Sequence, residues 1–206
     1  MTVLDPATLT DLLPQRPELS AARMRLYSTA LVLFGERGYH GVSVRDITDA
    51  LGQKPGAIYA HVQSKQELLF ELARIGVAEH GERIRSAHDA AGADPVEQIR
   101  AIVRSHVAVH LEFPALARVV NQEARLLETG QVETLMAVTS GSELLMLDSI
   151  ERGAALGLFH VDDPFLVVTA IAAMGVRAVE WWTPDSARSA RQVADTYADY
   201  AVKLLR

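Results

Sequence analysis

Apolar side chains recur every three or four residues along most of the chain, which is the spacing of one face of an α-helix. Leu26, Ala30 and Leu33 show this spacing near the start of the sequence. The alternating pattern of a β-strand and the dipeptides typical of hairpin turns do not occur. The sequence therefore predicts an all-α fold of about nine helices.

Helix-start signals divide this pattern into segments. Ser43–Asp46 and Ser64–Glu67 fit capping boxes, in which the first and fourth residues satisfy each other's backbone N–H groups. Asp94-Pro95 and Asp163-Pro164 combine a capping side chain with a proline suited to the first turn. A further cap at Ser189 opens the last helix, so we expect three or four small helices up to about residue 63 and a helical bundle after them.

Proline content and charge divide the chain further. Residues 1–19 contain three prolines and no firm periodicity, which predicts a flexible arm. Residues 20–65 carry a net charge of +3, whereas residues 76–206 carry −6. Because the sign changes along the chain, we expect two functions in two domains, one over residues 20–66 and the other over residues 67–206.

Composition excludes several protein classes. The 206 residues include no cysteine, so disulfides and thiolate metal sites are impossible. The N-terminus lacks the basic and apolar regions of a signal peptide. The longest apolar run, Phe165–Val176, is too short to cross a bilayer. A cytoplasmic protein is expected.

The stretch VSVRDITDALGQKPGAIYAHV (residues 42–62) has the layout of a helix-turn-helix motif. Val44–Leu51 predicts a supporting helix, and Gly52 allows the backbone to turn without a Cβ clash. Pro55–Val62 predicts a recognition helix for the major groove, with Ile58 and Val62 one turn apart and facing the core.

The polar and small side chains around this motif suit DNA. Arg45 and Lys54 are candidates for base edges, where guanine N7 and O6 accept hydrogen bonds. Tyr59, His61 and Lys65 are candidates for phosphate contacts, which fix register without reading sequence. The complete candidate DNA surface consists of Ser43, Arg45, Lys54, Pro55, Gly56, Ala57, Tyr59, Ala60, His61 and Lys65.

Residues 24–72 resemble the TetR family of bacterial transcription regulators. The resemblance rests on LFGERGY at the end of the first helix, VRDITDALG in the supporting helix and IYAHVQSKQEL after it. The chain departs from the family pattern at Val62, where an aromatic residue is common, and at Ala57, where a Ser or Thr is common. The absent hydroxyl at Ala57 removes one DNA contact.

The family resemblance implies that residues from about 75 onward bind a ligand and form a homodimer. The segments His106–Glu128 and Gly175–Ser186 resemble a subgroup whose members often respond to acyl-CoA thioesters, fatty acids or steroid-degradation intermediates. A pocket for such a ligand needs apolar walls and a few polar anchors. The candidate ligand-binding residues are His106, His110, Phe113, Asn121, Arg125, Met146, Met174, Arg177 and Trp181.

The last two helices are the candidates for a four-helix dimer interface. The first of them is apolar nearly all round, so a partner, the core or both must cover it. Small residues there, including Gly175, would allow close approach. The candidate interface residues are Ala170, Ala173, Val176, Val193, Tyr197 and Tyr200.

His106 and His110 also have the spacing of two metal ligands on one helical face. Two histidines are too few for a site, and the sequence does not identify a third ligand. The HVAVH segment also lacks the glutamate of the HExxH metalloprotease motif. We therefore predict neither a metal nor a cofactor, and interpret both residues as packing or pocket-lining histidines.

The sequence predicts a ligand-responsive repressor that binds a palindromic double-stranded operator and is released by a small apolar or amphipathic effector. The helix starting near Ser64, which joins the two domains, is the expected mobile element. Two alternatives remain: an all-α enzyme using His106 or His110, and a helical interaction protein with a vestigial DNA-binding module. Neither a nucleophile elbow nor a phosphate-binding loop supports the enzyme.

Overall fold

A computed structural model describes residues 9 and 11–206 of the chain. These residues contain no strand, and the all-α prediction is confirmed. Short 3-10 helices cover Pro55–Ala60 and Ala124–Leu126. The eight α-helices of the described part are α1 (Ala21–Arg37), α2 (Val44–Ala50), α3 (Lys65–Ala90), α4 (Pro95–Glu112), α5 (Pro114–Glu123), α6 (Thr129–Ala155), α7 (Pro164–Trp181) and α8 (Ala190–Leu204).

Side-chain caps start several helices where the sequence predicts them. The Ser43 hydroxyl accepts a hydrogen bond from the Asp46 N–H at 3.1 Å, and the Asp46 carboxylate accepts from the Ser43 N–H at 2.8 Å. Ser189 and Gln192 form the same reciprocal pair before α8. These bonds satisfy N–H groups that have no partner inside the helix.

The predicted start at Ser64 is confirmed with one difference. The Ser64 hydroxyl accepts from the Glu67 N–H at 3.0 Å. The Glu67 carboxylate reaches past Ser64, however, and accepts from the Gln63 N–H at 2.5 Å. Gln63, one residue outside the predicted box, therefore takes part in the cap.

Most of the predicted N-terminal arm, residues 1–8 and 10, lies outside the described residues. Residues 11–19 form turns and bends, and the Leu13 side chain is buried. The flexibility of the arm stays a prediction.

The chain divides into two compact units that do not follow chain order. Unit 1 combines residues 1–76 with Ala115–Leu135, and unit 2 combines Val77–Pro114 with Met136–Arg206. The predicted boundary at residue 66 falls inside α3, whose residues belong to both units. The segment containing α5, which the sequence assigns to the second domain, belongs to unit 1.

The core of unit 1 supports the helix-turn-helix motif. Ile47 of α2 is fully buried, and Ile58 and Val62 are 1% and 3% exposed. The other predicted core partners, Leu26, Phe34 and Leu51, are also buried. Apolar burial thus holds the short elements, because helices of one or two turns have little stability of their own.

In unit 2, α4 packs against both α7 and α8. By length and composition α7 is able to cross a membrane, although 28% of it is buried in the unit. The helix extends past the apolar run Phe165–Val176 to Trp181, and core helices of soluble proteins reach the same length and composition. Large apolar side chains, including Phe165 and Leu166, remain exposed on α7.

Candidate functional site

The predicted recognition helix is a six-residue 3-10 helix, Pro55–Ala60. Its N–H groups bond three residues back, from Ala57 to Lys54 and from His61 to Ile58, both at 2.9 Å. No side chain caps its start, and α3 follows after only four residues. The prediction of a recognition helix over Pro55–Val62 is therefore corrected in type and length.

This 3-10 helix separates a buried side from an exposed one. Ile58 is 1% exposed, whereas its neighbour Tyr59 is 59% exposed. Gly56 and Ala60 are also exposed, and a Cβ atom built on Gly56 would meet no other atom of the chain. The small residues are therefore not required for packing within unit 1, and they leave room for a close approach from outside.

Basic side chains flank the exposed side. The Arg45 side chain is 81% exposed and lies 3.9 Å from the Asp49 carboxylate, which is a weak surface ion pair. Lys54 is exposed at the start of the 3-10 helix, and His61 is half-buried at its end. All three residues belong to the DNA surface that the sequence predicts.

Ser43 and Lys65 both have structural roles, of which the sequence predicted the Ser43 cap but not the contacts of Lys65. The Ser43 hydroxyl takes part in the α2 capping box. The Lys65 ammonium donates to the carbonyls of Tyr39 at 2.9 Å and Val42 at 2.7 Å, and it lies 4.0 Å from the centre of the Tyr39 ring. Burial lowers the pKa of Lys65. Both groups hold the loop between α1 and α2, and a DNA contact from either stays a prediction.

Two residues that the sequence did not single out complete this loop anchor. The Gln66 side chain accepts from the Tyr39 hydroxyl at 2.9 Å and donates to the Leu126 carbonyl at 2.8 Å. The Glu123 carboxylate accepts from the Tyr39 N–H at 3.1 Å. We call the 3-10 helix Pro55–Ala60 the reading segment. The loop between α1 and α2, which precedes it in the chain, is bound in this way to the start of α3 and to the end of α5.

Unit 2 contains a cluster of three histidines from two helices, His80 of α3 and His106 and His110 of α4. His80 Nε2 lies 2.7 Å from His106 Nδ1. The ring centres of His106 and His110 are 4.6 Å apart, and those of His80 and His110 are 5.6 Å apart. One ring nitrogen of each residue lies within 4.8 Å of those of the other two.

Backbone carbonyls fix the protons of two of these rings. His106 Nε2 lies 2.8 Å from the Ala172 carbonyl, and His110 Nδ1 lies 2.8 Å from the His106 carbonyl. A carbonyl oxygen only accepts, so each of these nitrogens carries the proton. The lone pairs are therefore on His106 Nδ1 and His110 Nε2.

Burial keeps the cluster neutral. Burial, with a contribution from His110, lowers the pKa of His80 to about 4. Burial also lowers the pKa of His106 well below 6.5, and the two neighbouring rings add to this effect. The pKa of His110 is lowered by burial and partly restored by its bond to the His106 carbonyl. All three imidazoles are therefore in the neutral form at neutral pH, with one protonated and one unprotonated nitrogen each.

Gly175 of α7 makes room for the cluster. A Cβ atom at this position would lie 2.4 Å from His106 Nε2. The glycine is thus needed for contact inside unit 2. Packing inside the unit is one of the two roles, core or partner contact, that the sequence leaves open for the small residues of α7.

The remaining candidate ligand residues differ in burial. Phe113 is buried below the Arg83 guanidinium, Met146 is buried and Met174 is half-buried. Arg177 is exposed, and Trp181 is 50% exposed.

Asn121 and Arg125 differ from the prediction more strongly. Both are exposed, and both belong to unit 1. Asn121 is on α5 and Arg125 on the following 3-10 helix, so they do not share one α-helical face as predicted. The helix ends at Glu123, whose carboxylate accepts from Tyr39.

A surface groove of about 960 Å³ lies between α4 and α8. Its lining includes Arg104, Glu112 and Asp195, and it contains none of the nine candidate ligand residues. Arg104 and Asp195 pair across it at 2.5 Å. The lining thus combines charged side chains with the small apolar residues Ala108, Ala190 and Ala194.

Four of the candidate interface residues, Ala170, Ala173, Val176 and Tyr200, are exposed, and Tyr197 is half-buried. Val193 is only 3% exposed, so its side chain packs inside unit 2 and is withdrawn from the interface. Phe165 and Leu166 at the start of α7, which are 70% and 61% exposed, are further candidates that the sequence analysis missed.

Two family models match the chain. Residues 26–72 match the model of bacterial regulatory proteins of the tetR family, and residues 92–205 match that of the tetracyclin repressor-like C-terminal domain. The second match alone covers more than half of the chain.

Individual relatives agree over most of their length. The HTH-type transcriptional repressor KstR2 of Mycolicibacterium smegmatis is 27% identical over 187 residues, which cover 89% of this chain and 91% of the relative. The structure of the ketosteroid transcriptional regulator KstR2 of Mycobacterium tuberculosis matches with a TM-score of 0.81 at 24% identity, covering 91% of this chain and 96% of that one. The structure of AibR in complex with isovaleryl coenzyme A and operator DNA matches with a TM-score of 0.77 at 23% identity, covering 86% and 96%.

Proposed function

This chain belongs to the TetR family of bacterial regulatory proteins and is a transcriptional regulator, and from that premise we propose a repressor that binds a palindromic operator as a homodimer. Its relatives are named as transcriptional repressors, and an enzyme using His106 or His110 is excluded. A vestigial DNA-binding module is also not supported, because the match to the family model covers the whole motif.

The exposed side of the Pro55–Ala60 helix is the observation that carries the DNA-binding proposal. Gly56 and Ala60 let the backbone approach base edges, and Tyr59 has a hydroxyl free to reach a phosphate. Arg45 and Lys54 add positive charge on either side. We assign base contacts to Lys54 and Arg45, and phosphate contacts to Tyr59 and His61.

A two-fold dimer supplies the second reading segment, since paired segments read half-sites about one helical turn apart. The exposed apolar surface of α7 and α8 supports this interface. Phe165, Leu166, Val176, Tyr200 and Leu204 are all more than a third exposed. A second copy of the chain would remove this surface from water.

The effector that we propose is a small apolar or amphipathic molecule, of the acyl-CoA, fatty-acid or steroid class. The names of KstR2 and AibR, which mention a ketosteroid and isovaleryl coenzyme A, support this class. An effector that binds better to the DNA-free form lowers operator affinity by the same factor by which DNA weakens effector binding. The site of action is the cytoplasm, where the DNA is.

The test is selection of bound duplexes from a random pool, followed by affinity measurement on the winner at several salt concentrations. We expect an enriched palindrome whose affinity falls steeply with salt, because phosphate neutralisation releases counterions. The same duplex then reports release by CoA thioesters, fatty acids and steroids.

Lys54→Ala and Arg191→Ala form a matched pair for this assay. Lys54 is in the reading segment, and the Arg191 side chain in unit 2 is 91% exposed. We expect Lys54→Ala to lose about 1–3 kcal/mol of binding free energy and to relax specificity at one base pair. Arg191→Ala should bind as the unchanged protein does. Equal losses in both variants would contradict the assignment of Lys54.

A further inference from the structure

The histidine cluster of unit 2 is not explained by DNA binding or by dimerisation. His106 is 6% exposed, and His80 and His110 are half-buried. Three imidazoles in one place are a costly choice for a core position, since each nitrogen must be matched or solvated. A role in packing alone would be met by apolar side chains of similar volume.

The cluster contains ring nitrogens whose lone pairs are available to bind a ligand. The protons on His106 Nε2 and His110 Nδ1 are held by the carbonyls of Ala172 and His106. This leaves His106 Nδ1 and His110 Nε2 as bases. Hydrogen bonds from the outer nitrogen of a histidine to a backbone carbonyl are how proteins fix metal-binding imidazoles.

His80 supplies the third nitrogen, which the sequence did not identify. Its Nε2 is 2.7 Å from His106 Nδ1, so a single proton now lies between the two nitrogens. A metal ion would take the place of that proton. His80 would then carry its ring proton on Nδ1 instead of Nε2. Nitrogens on an ion at Zn–N distances of about 2.0–2.1 Å are about 3.3 Å apart at tetrahedral angles.

The observed spacing is close to this requirement. The His80–His106 nitrogen pair must open by roughly half an ångström, and one ring nitrogen of His110 already lies within 4.8 Å of a ring nitrogen of each of the other two residues. His80 is half-buried, so its side chain has room to adjust. His106 is fixed against Gly175 and the Ala172 carbonyl.

From this geometry we propose that His80, His106 and His110 bind a divalent transition-metal ion with the ligand preferences of Zn²⁺. Neutral imidazole is a good ligand for Zn²⁺, Co²⁺, Ni²⁺ and Cu²⁺, and a poor one for Mg²⁺ or Ca²⁺. Burial supports the neutral form of all three rings. Three protein ligands leave a fourth position for water or an anionic group.

The experiment uses the full chain without a histidine tag, freed of metal by a chelator that is then removed. Zn²⁺ is titrated calorimetrically, and Co²⁺ is followed by its visible absorption, which is intense only in tetrahedral or five-coordinate sites. We expect one ion per chain. Absence of binding at micromolar metal would overturn the proposal.

His80→Gln and His110→Gln test the ligands, with His160→Gln as the matched control. His160 is in the same unit and exposed, outside the cluster. We expect the first two changes to weaken binding more than about 100-fold, since even loss of an outer hydrogen-bond partner costs 10–100-fold. His160→Gln should bind normally. Equal affinity in all three variants would place the metal elsewhere and overturn the proposal.

A measurement without variants protects against misfolding. Nitrogen NMR of the metal-free protein should show a proton on Nε2 of His106 and on Nδ1 of His110. Zn²⁺ should then shift the signals of His106 Nδ1, His110 Nε2 and His80 Nε2 together, with loss of the proton from His80 Nε2. A shift confined to other histidines would contradict the site. Neither readout needs an operator or an effector, so failure here is distinct from failure of the proposed repressor function.

Discussion

The two compact units differ in how their candidate groups are distributed along the chain. In unit 1 the DNA candidates occupy residues 43–65, on short elements, and most of the reading segment is exposed. In unit 2 the histidine cluster combines α3 and α4 with a carbonyl of α7, and it is largely buried. A contiguous surface motif is readable from the sequence, whereas a buried cluster depends on which helices meet.

Among the changes that distinguish the two units, removal of a buried side chain from the reading segment should lower the free energy of unfolding most. Ile58→Ala deletes a side chain that is 1% exposed and leaves a cavity. We expect a loss of about 2–5 kcal/mol in the free energy of unfolding, measured with urea. Hydrogen exchange should rise mainly around residues 44–62, because that motif has few contacts to spare.

Ala60→Ser is the control for this change, because Ala60 is exposed on the same 3-10 helix. It should alter stability by less than about 0.5 kcal/mol. If both substitutions had similarly small effects, the packing of Ile58 would not be what holds the segment.

Acid should act on unit 2 through its histidines. The pKa of His80 is about 4 in the folded chain, against 6.5 in the unfolded one, so the unfolded state binds more protons between these values. The stability present above pH 6.5 is therefore lost as the pH falls. Between pH 6.5 and 5, proton uptake at His80 alone lowers the free energy of unfolding by about 2 kcal/mol. The lowered pKa values of His106 and His110 act in the same direction.

Chemical unfolding of the metal-free protein in chelator, at pH 7, 6 and 5, measures this loss. His80→Leu should make the pH dependence shallower by about 1 kcal/mol per pH unit. In unit 1, the Asp46 carboxyl has a pKa below its usual 3.8, owing to the Ser43 hydrogen bonds and nearby arginines, so it titrates only at lower pH. An unchanged slope in His80→Leu would contradict the burial of a neutral His80.

The two reciprocal capping boxes, one in each unit, allow a smaller and closely matched test. Ser43→Ala and Ser189→Ala each remove a hydroxyl that accepts from the N–H three residues on. We expect each to lose about 1 kcal/mol of stability. Only Ser43→Ala should also weaken operator binding, because α2 supports the reading segment.

Ser43→Thr keeps a capping hydroxyl and should restore both properties of the first variant. Gel-shift titration alongside urea unfolding measures the pair. Equal weakening of DNA binding in Ser43→Ala and Ser189→Ala would indicate a general effect of stability and would remove the special role of α2.

The sequence predicts unit 1 well because its signals are local. The caps at Ser43 and Ser64, the turn at Gly52 and the buried pair Ile58 and Val62 all involve neighbours within a few positions. Gly52 indeed adopts a positive φ of 68°. The 3-10 form of Pro55–Ala60 was missed, because periodicity over six residues does not separate it from an α-helix.

The histidine cluster of unit 2 was not predicted, because its members and their partners are distant from one another in sequence. His80 is 26 positions from its partner His106, and Ala172 is 66 positions away. One signal was available, since Leu72, Gly76, His80 and Ile84 follow one another at four-residue spacing on α3. That stripe places His80 on an inward face, but it does not say which helix lies opposite.

The smallest expected effect on stability comes from Tyr59, which is 59% exposed beside the buried Ile58. Tyr59→Ala should change the free energy of unfolding by less than about 0.5 kcal/mol. It should weaken operator binding by about 1.5 kcal/mol, or roughly tenfold, if the hydroxyl bonds a phosphate. Tyr59→Phe should lose nearly as much, because the ring alone does not replace that bond. The salt dependence should stay unchanged in both variants, since a neutral phenol releases no counterion. Full affinity in Tyr59→Phe with loss only in Tyr59→Ala would assign the contact to the ring, and a large loss of stability would show that Tyr59 belongs to the packed side of the segment.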